Sequence, residues 1–236
     1  MKESALGYSN VQFIASEETS LGMVYLRQRE LLSQPGTVLL ELLLDHALLM
    51  SSCSTHSERA LARLAIEMHG GEGLHALVGG LGLGYTAREV LNSSCVATLE
   101  VIELLQPLIG WFESGLIPLR SELAADPRFS LRQGDVYRIL GLPPARRYDL
   151  ILVDVDHAPE ERLGNSDDAF YSEETLRRVR EHLAPGGVLG VWSYAESIDF
   201  GQLLERVFGE VRIECETFHN PVVDEEESNW LFLARR

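Results

Sequence analysis

Four groups of residues in this chain have the types and spacing that chemistry needs. The run Gly79-Gly80-Leu81-Gly82-Leu83-Gly84 sets four glycines within six residues, between an apolar strand pattern and a helix pattern. A strand that turns at once into a helix while its backbone approaches a ligand has no room for Cβ atoms. Gly80, Gly82 and Gly84 are therefore candidate ligand contacts. Glu103 closes the next apolar strand pattern about twenty residues later, where a carboxylate can accept the hydroxyl protons of a ribose. Hydrogen bonds of that charge-assisted kind contribute roughly 1.5–3 kcal/mol each. Gly134-Asp135 closes a third strand pattern. Asp154-Val155-Asp156-His157 then follows YDLILV, an unbroken apolar run of the type buried on both faces of a parallel sheet. Together these groups describe a nucleoside site with acids along one rim.

The elements that must position them are legible around them. LHALVG, a helix from about Tyr85 to Leu91, and VATLEVIE form an opening βαβ unit. PLIGWFESG and LRSELAADP read as short helices stopped by glycine and proline, RFSLRQ as a strand, DVYRIL as a helix. The loop APEERLGNSDDAF is long and polar enough to be a lid. Ser172 caps a helix with Glu173 and Glu174 in its first turn and arginines in its last, as the helix dipole favours. VLGVWS is the next strand, Ile198–Phe208 a helix, and VRIECETF with NWLFLARR an antiparallel pair whose acidic tip runs over residues 222–228. The alternation predicts a Rossmann-like, doubly wound, mostly parallel α/β sheet with its ligand crevice at the carboxyl ends of the strands.

Before that domain, residues 8–15 and 21–27 predict a hairpin and TVLLELLLD a third strand, a small N-terminal β appendage over 1–52 attached to a transferase-like domain over 53–236. The apolar strand from Val38 to Leu44 in so small an appendage predicts an edge or face shared with a second copy, hence a homodimer. A helix follows, with Thr55 and Glu58 as its capping box.

Composition excludes several partners. The 236 residues carry a formal net charge of −16 with no arginine-rich stripe, which argues against nucleic acid. The run Val38–Met50 is too short and too interrupted to span a bilayer, and no secretory signal pattern opens the chain. Cys53, Cys95 and Cys215 lie far apart without ligand spacing, so neither a disulfide framework nor a metal site is expected and a reducing cytoplasm is the natural compartment.

The order GGLGLG, Glu103, Gly134-Asp135, YDLILVD and a later PGG resembles the class I S-adenosylmethionine-dependent transferases. VGGLGLGYTAREVL, ADPRFSLRQGD, YDLILVDVD, AFYSEETL and LLLDHALLMSSCSTHSERAL are similar to the spermidine synthases and their relatives. The resemblance implies S-adenosylmethionine or its decarboxylated form as cofactor. It places the methionine part at the glycine loop, the ribose at Glu103 and the adenine amino group at Asp135. Departures fall on the acceptor side. Asp154 fits the first of the family's two aspartates after the fourth strand, while His157 stands at the second and Asp156 lies one residue early. The family's Tyr-His-Glu is Thr55-His56-Ser57 here, and its Gln after the fifth strand is Trp192.

Asp154, Asp156 and His157 are thus the catalytic candidates. A desolvated carboxylate can hold a protonated amine and take its proton, and a histidine titrates in the range of a general base. A diamine needs a carboxylate at each end of its pocket. With one altered, the sequence ranks methyl transfer to a small acceptor ahead of aminopropyl transfer to a polyamine. Two other classes stay open: Gly82, Gly84 and Ala87 also satisfy a dinucleotide fingerprint, so an NAD-dependent dehydrogenase is possible on pattern, as is a nucleoside-binding protein without catalysis.

Overall fold

A computed structural model describes residues 11–155, 158–159 and 170–236. Its first sheet has four antiparallel strands in the order β1 (Gln12–Thr19), β2 (Gly22–Glu30), β3 (Val38–Leu44) and β4 (Ala47–Ser51). The first hairpin turns over Ser20-Leu21, so β1 runs on past the predicted end at residue 15 to include Glu17, Glu18 and Thr19. The fourth strand was hidden inside the apolar run. Asp45, with φ of 50°, makes the reversal between β3 and β4, and its carboxylate accepts from the Met23 N–H at 2.8 Å. Pairing with both β2 and β4 leaves β3 no open edge. A shared β3 edge is therefore ruled out, since the open edges belong to β1 and β4, while the shared-face half of the expectation is untouched.

Helix α1 (His56–His69) leads into the second sheet, whose seven strands run in the order β10-β11-β9-β8-β5-β6-β7. Strands β5 (Leu74–Gly79), β6 (Val96–Glu103), β7 (Phe129–Gln133), β8 (Tyr148–Val153) and β9 (Leu183–Ser193) are parallel. β11 (Glu225–Arg235) runs antiparallel to β9, and β10 (Glu210–Asn220) antiparallel to β11. The chain winds outward from β5 to β7, then returns to β8 on the other side of β5, so the switch point where ligands bind in such sheets lies between the ends of β5 and β8. That junction is tight. The Asp154 N–H donates to the Gly79 carbonyl at 3.0 Å, and a Cβ on Gly80, whose φ is +92°, would overlap the Asp154 carbonyl oxygen.

The two-residue period of the strands builds a core on each face. Ala76 and Val78 of β5 pack with Leu61 and Leu64 of α1 and with Val90 of α2 (Tyr85–Asn92), whereas Leu77 packs with Leu140 of α5 (Val136–Gly141), Leu176 of α6 (Glu173–His182) and Leu204 of α7 (Ile198–Val207). Two short helices, α3 (Gln106–Glu113) and α4 (Arg120–Ala125), complete the first face. Leu26 and Leu42 of the small sheet join that same core, and the Trp111 indole N–H donates to Glu17 at 2.9 Å. The small sheet is thereby fixed over the strand ends.

At the far edge the β10–β11 ribbon stays paired out to Asn220 and Glu225, so the acidic stretch predicted as a tip is mostly strand and only residues 221–224 turn. Charged side chains at the rim of a ribbon need no apolar pattern, which is why they read as loop.

Candidate functional site

The carboxyl ends of the parallel strands open into a cavity of about 970 Å³. Gly80 and Gly82 of the loop, Glu103, Gly134, Asp135 and Asp154 all line it, so these residues, far apart in sequence, share one cavity. Gly84 does not line it. Its φ is +91° and a Cβ there would press on Leu123, so that glycine serves the turn and the packing of α4. Asp156, His157 and the Asp167-Asp168 pair of the long loop lie outside the described residues.

Glu103 is buried and accepts from the Leu81 N–H at 2.8 Å and the Leu105 N–H at 2.7 Å. Desolvation nonetheless pushes its carboxyl up, against backbone N–H groups of Leu81, Leu105, Leu104 and Gly82 that favour the charged form. It therefore fixes the glycine loop as well as facing the cavity. Asp135 caps α5, one oxygen accepting from the Tyr137 N–H at 2.9 Å and the Arg138 N–H at 3.1 Å. Asp154 follows β8 and accepts a 2.5 Å hydrogen bond from the Thr86 hydroxyl in the first turn of α2.

The sequence missed Glu58. It reads as the partner of Thr55 in a capping box, but Thr55 makes no cap hydrogen bond. Glu58 instead turns into the cavity, buried, and accepts from the Ser57 hydroxyl at 3.0 Å. Its signal was faint: an acid one position after Ser57, where the resembling family carries one at Ser57 itself. Burial first, and the Asp154 charge second, lift Glu58 from 4.5 to about 7. Burial likewise lifts Asp154 from 3.8 to about 6, with the Thr86 hydroxyl opposing. Two carboxylates that face one cavity and repel each other both favour the protonated form more than a free carboxyl does.

His56, also considered from the sequence, is exposed and stacks on Phe218 with centroids 6.2 Å apart. Trp192 and Tyr194 do line the cavity, the Trp192 indole N–H donating to Ser57 at 2.9 Å. The small sheet supplies an apolar wall from Leu42, Leu44, Leu48, Leu49 and Met50, and Met50 Sδ accepts from the Leu83 N–H at 3.2 Å. Five carboxylates, Glu58, Glu103, Asp135, Asp154 and Glu227, face this space, and no lysine, arginine or histidine is found among its described lining residues.

The pair has a consequence for the free protein. A carboxyl raised in the folded state stabilises fully below its unfolded value near 4 and loses that contribution as pH rises through its folded value. Stability should therefore fall between about pH 4 and 7, the window set by Asp154 and Glu58. Thermal melts of Glu58→Gln should show a shallower fall than the wild type. Parallel slopes would remove the pair as its cause.

Among the described residues no helix is long and apolar enough to cross a membrane, and no group of three or more metal-ligating side chains converges. No family model matches the chain. A crystal structure of spermidine synthase in complex with the transition state analogue AdoDATO superposes with a TM-score of 0.74 at 17% identity, over 95% of this chain and 73% of that one. The fold is that of the spermidine synthases. The spermidine synthase from Thermotoga maritima gives a TM-score of 0.73 at 16% identity over 95% of this chain and 72% of its own. In sequence, polyamine aminopropyltransferase 2 of Streptomyces coelicolor (strain ATCC BAA-471 / A3(2) / M145) is 32% identical over 124 residues, 52% of this chain. The chain covers 22% of the length of that curated relative. The spermidine synthase fold accounts for both sheets, the small one included, because the alignments run over nearly the whole chain.

Proposed function

We propose that this protein transfers an aminopropyl group from decarboxylated S-adenosylmethionine to an amine. The observation that carries the reading is that every charged side chain among the cavity's described lining residues is an acid. A cationic donor and a cationic acceptor both fit such a field, while an anionic group would meet no basic side chain among those described residues. S-adenosylmethionine carries a carboxylate and its decarboxylated form does not. Glu58 also supplies what the sequence lacked. Methyl transfer ranked first because one acid of the amine pocket was altered, and Glu58 and Glu227 give the cavity further carboxylates that the sequence did not place there, which weakens that objection.

The residues fit the nucleoside through Gly80 and Gly82, whose missing side chains leave the loop backbone open to the cavity, through Glu103 for the ribose and through Asp135 at the far rim. When bound, the donor supplies an electrophilic carbon on a sulfonium. The chain's own part is to hold donor and amine in line, exclude water with the leucine wall, and receive one proton. A dehydrogenase reading gives no role to Glu58 and Asp154 as a pair.

Calorimetry with the two nucleosides tests this reading. Decarboxylated S-adenosylmethionine should bind at least about tenfold more tightly than S-adenosylmethionine, a difference of about 1.4 kcal/mol. Equal affinities, or tighter binding of the carboxylated form, would return methyl transfer to first place.

A further inference from the structure

Glu58 sits in a hydrogen-bonded cluster with more acceptors than protons. The Ser57 hydroxyl lies 3.0 Å from Glu58 Oε2 and 3.0 Å from Asn229 Oδ1, and it receives the Trp192 indole N–H at 2.9 Å. Ser57, Glu58 and Asn229 are all buried. They come from the first turn of α1 and from β11, with Trp192 from β9, so three elements converge on one hydroxyl. A serine hydroxyl has one proton and two lone pairs. With Trp192 occupying one lone pair, that proton can serve Glu58 or Asn229, but not both.

This arrangement accommodates both protonation states of Glu58. When Glu58 is ionised, the Ser57 hydroxyl turns toward it and stabilises the charge. When Glu58 carries a proton, the carboxyl can donate to the second lone pair of Ser57, whose own proton then turns to Asn229. Neither state leaves Glu58 without a partner. A carboxylate with a merely structural task has no need of such a device, because one fixed donor would serve it better.

We propose that Glu58 is the group that takes the proton from the acceptor amine, and that Ser57, set by Trp192 and Asn229, is its positioning residue. The inference rests on the aminopropyl-transfer reading and deepens it. The amine enters as an ammonium and passes one proton to the Glu58 carboxylate. Its freed lone pair attacks the carbon bonded to the sulfonium, the carbon–nitrogen bond forms as the carbon–sulfur bond breaks, and the electron pair remains on sulfur as a neutral thioether. Glu58 then returns its proton to water. Asp154 faces the same space and holds positive charge there. The other charged or titratable groups about Glu58 are Arg59 on its own helix, whose guanidinium lies 5.4 Å over the Tyr85 ring, Tyr85 itself on α2, and Glu227 of β11 across the cavity.

Two measurements on the full chain test this. In the first, putrescine is titrated by calorimetry into protein saturated with methylthioadenosine, in two buffers of different ionisation enthalpy, to count protons exchanged on binding. Wild type should exchange a fraction of a proton near pH 7 that Glu58→Gln does not. In the second, the pH dependence of kcat/KM for putrescine is compared. Glu58→Gln should fall about 10²–10⁴-fold, the span of a lost general base, and lose the acidic limb. Ser57→Ala, deprived of its donor to the carboxylate, should keep a limb displaced to higher pH, and Ser57→Thr should restore it. A circular dichroism melt of each variant confirms folding. If the acidic limb of Glu58→Gln coincides with wild type, Glu58 is not the proton acceptor. If wild type forms no product while the Glu58-dependent proton exchange persists, the transfer reading fails and the amine site at Glu58 stands. If neither exchange nor limb depends on Glu58, the proposal is overturned.

Discussion

Glu103→Ala should lose both nucleoside affinity and thermal stability. One carboxylate performs two tasks here, gripping the Leu81 and Leu105 N–H groups at 2.8 and 2.7 Å and presenting its remaining lone pairs to the cavity. Alanine orphans two backbone donors that are buried at the turn, each costing about 1–3 kcal/mol less what entering water recovers. It also removes the acceptor for the ribose hydroxyls, roughly another 1.5–3 kcal/mol in binding, or about one to two orders of magnitude in affinity. Glutamine is the more telling variant. Its amide has one acceptor oxygen, so its NH2 must face one of the two backbone N–H groups donor to donor. Glu103→Gln should therefore remain nearly as damaged as alanine in a melt. A glutamine variant with wild-type melting temperature and wild-type affinity for methylthioadenosine by calorimetry would refute both tasks.

The part of the cavity proposed for the nucleoside was legible because its elements are local in sequence. A glycine loop needs a strand before it and a helix after it, and Glu103 and Asp135 each sit at the end of their own strand, so spacing and apolar pattern place them without tertiary information. The parallel sheet was legible for the same reason. The part proposed for the amine was not. Glu58 lies on α1, Asp154 after β8, Trp192 on β9 and Asn229 and Glu227 on β11, and only the crossing of the sheet brings them together. Glu58 also had a plausible local alternative in the capping box with Thr55, and that alternative hid it. The small sheet was read as a dimer element because TVLLELLLD is too apolar for an edge. Leu40 and Leu42 are buried within the same chain because they pack into the first core and β4 pairs along the strand, which the sequence could show only if the turn at Asp45-His46 were recognised.

Asp154→Asn should cost turnover on the same scale as Glu58→Gln. Asparagine keeps the shape and can still accept the Thr86 hydroxyl, so the change removes charge and little else. A cationic amine entering the cavity would then face Glu58 without its partner. Breaking a buried charge pairing of this kind costs about 3–5 kcal/mol, which corresponds to roughly 10²–10³-fold or more in kcat/KM for the amine. The direction of the pH effect separates this from simple damage. The Asp154 charge is one of the forces holding Glu58 near 7, so its removal should let Glu58 ionise more easily and carry the acidic limb to lower pH. Ser57→Ala moves the same limb the other way. Opposite displacements in the two variants require Glu58 to be the titrating group between them, since a generally loosened pocket would move both limbs alike. Steady-state rates with putrescine across pH 5–9 decide it, and an unshifted limb in Asp154→Asn would show that the two carboxylates do not act as a pair.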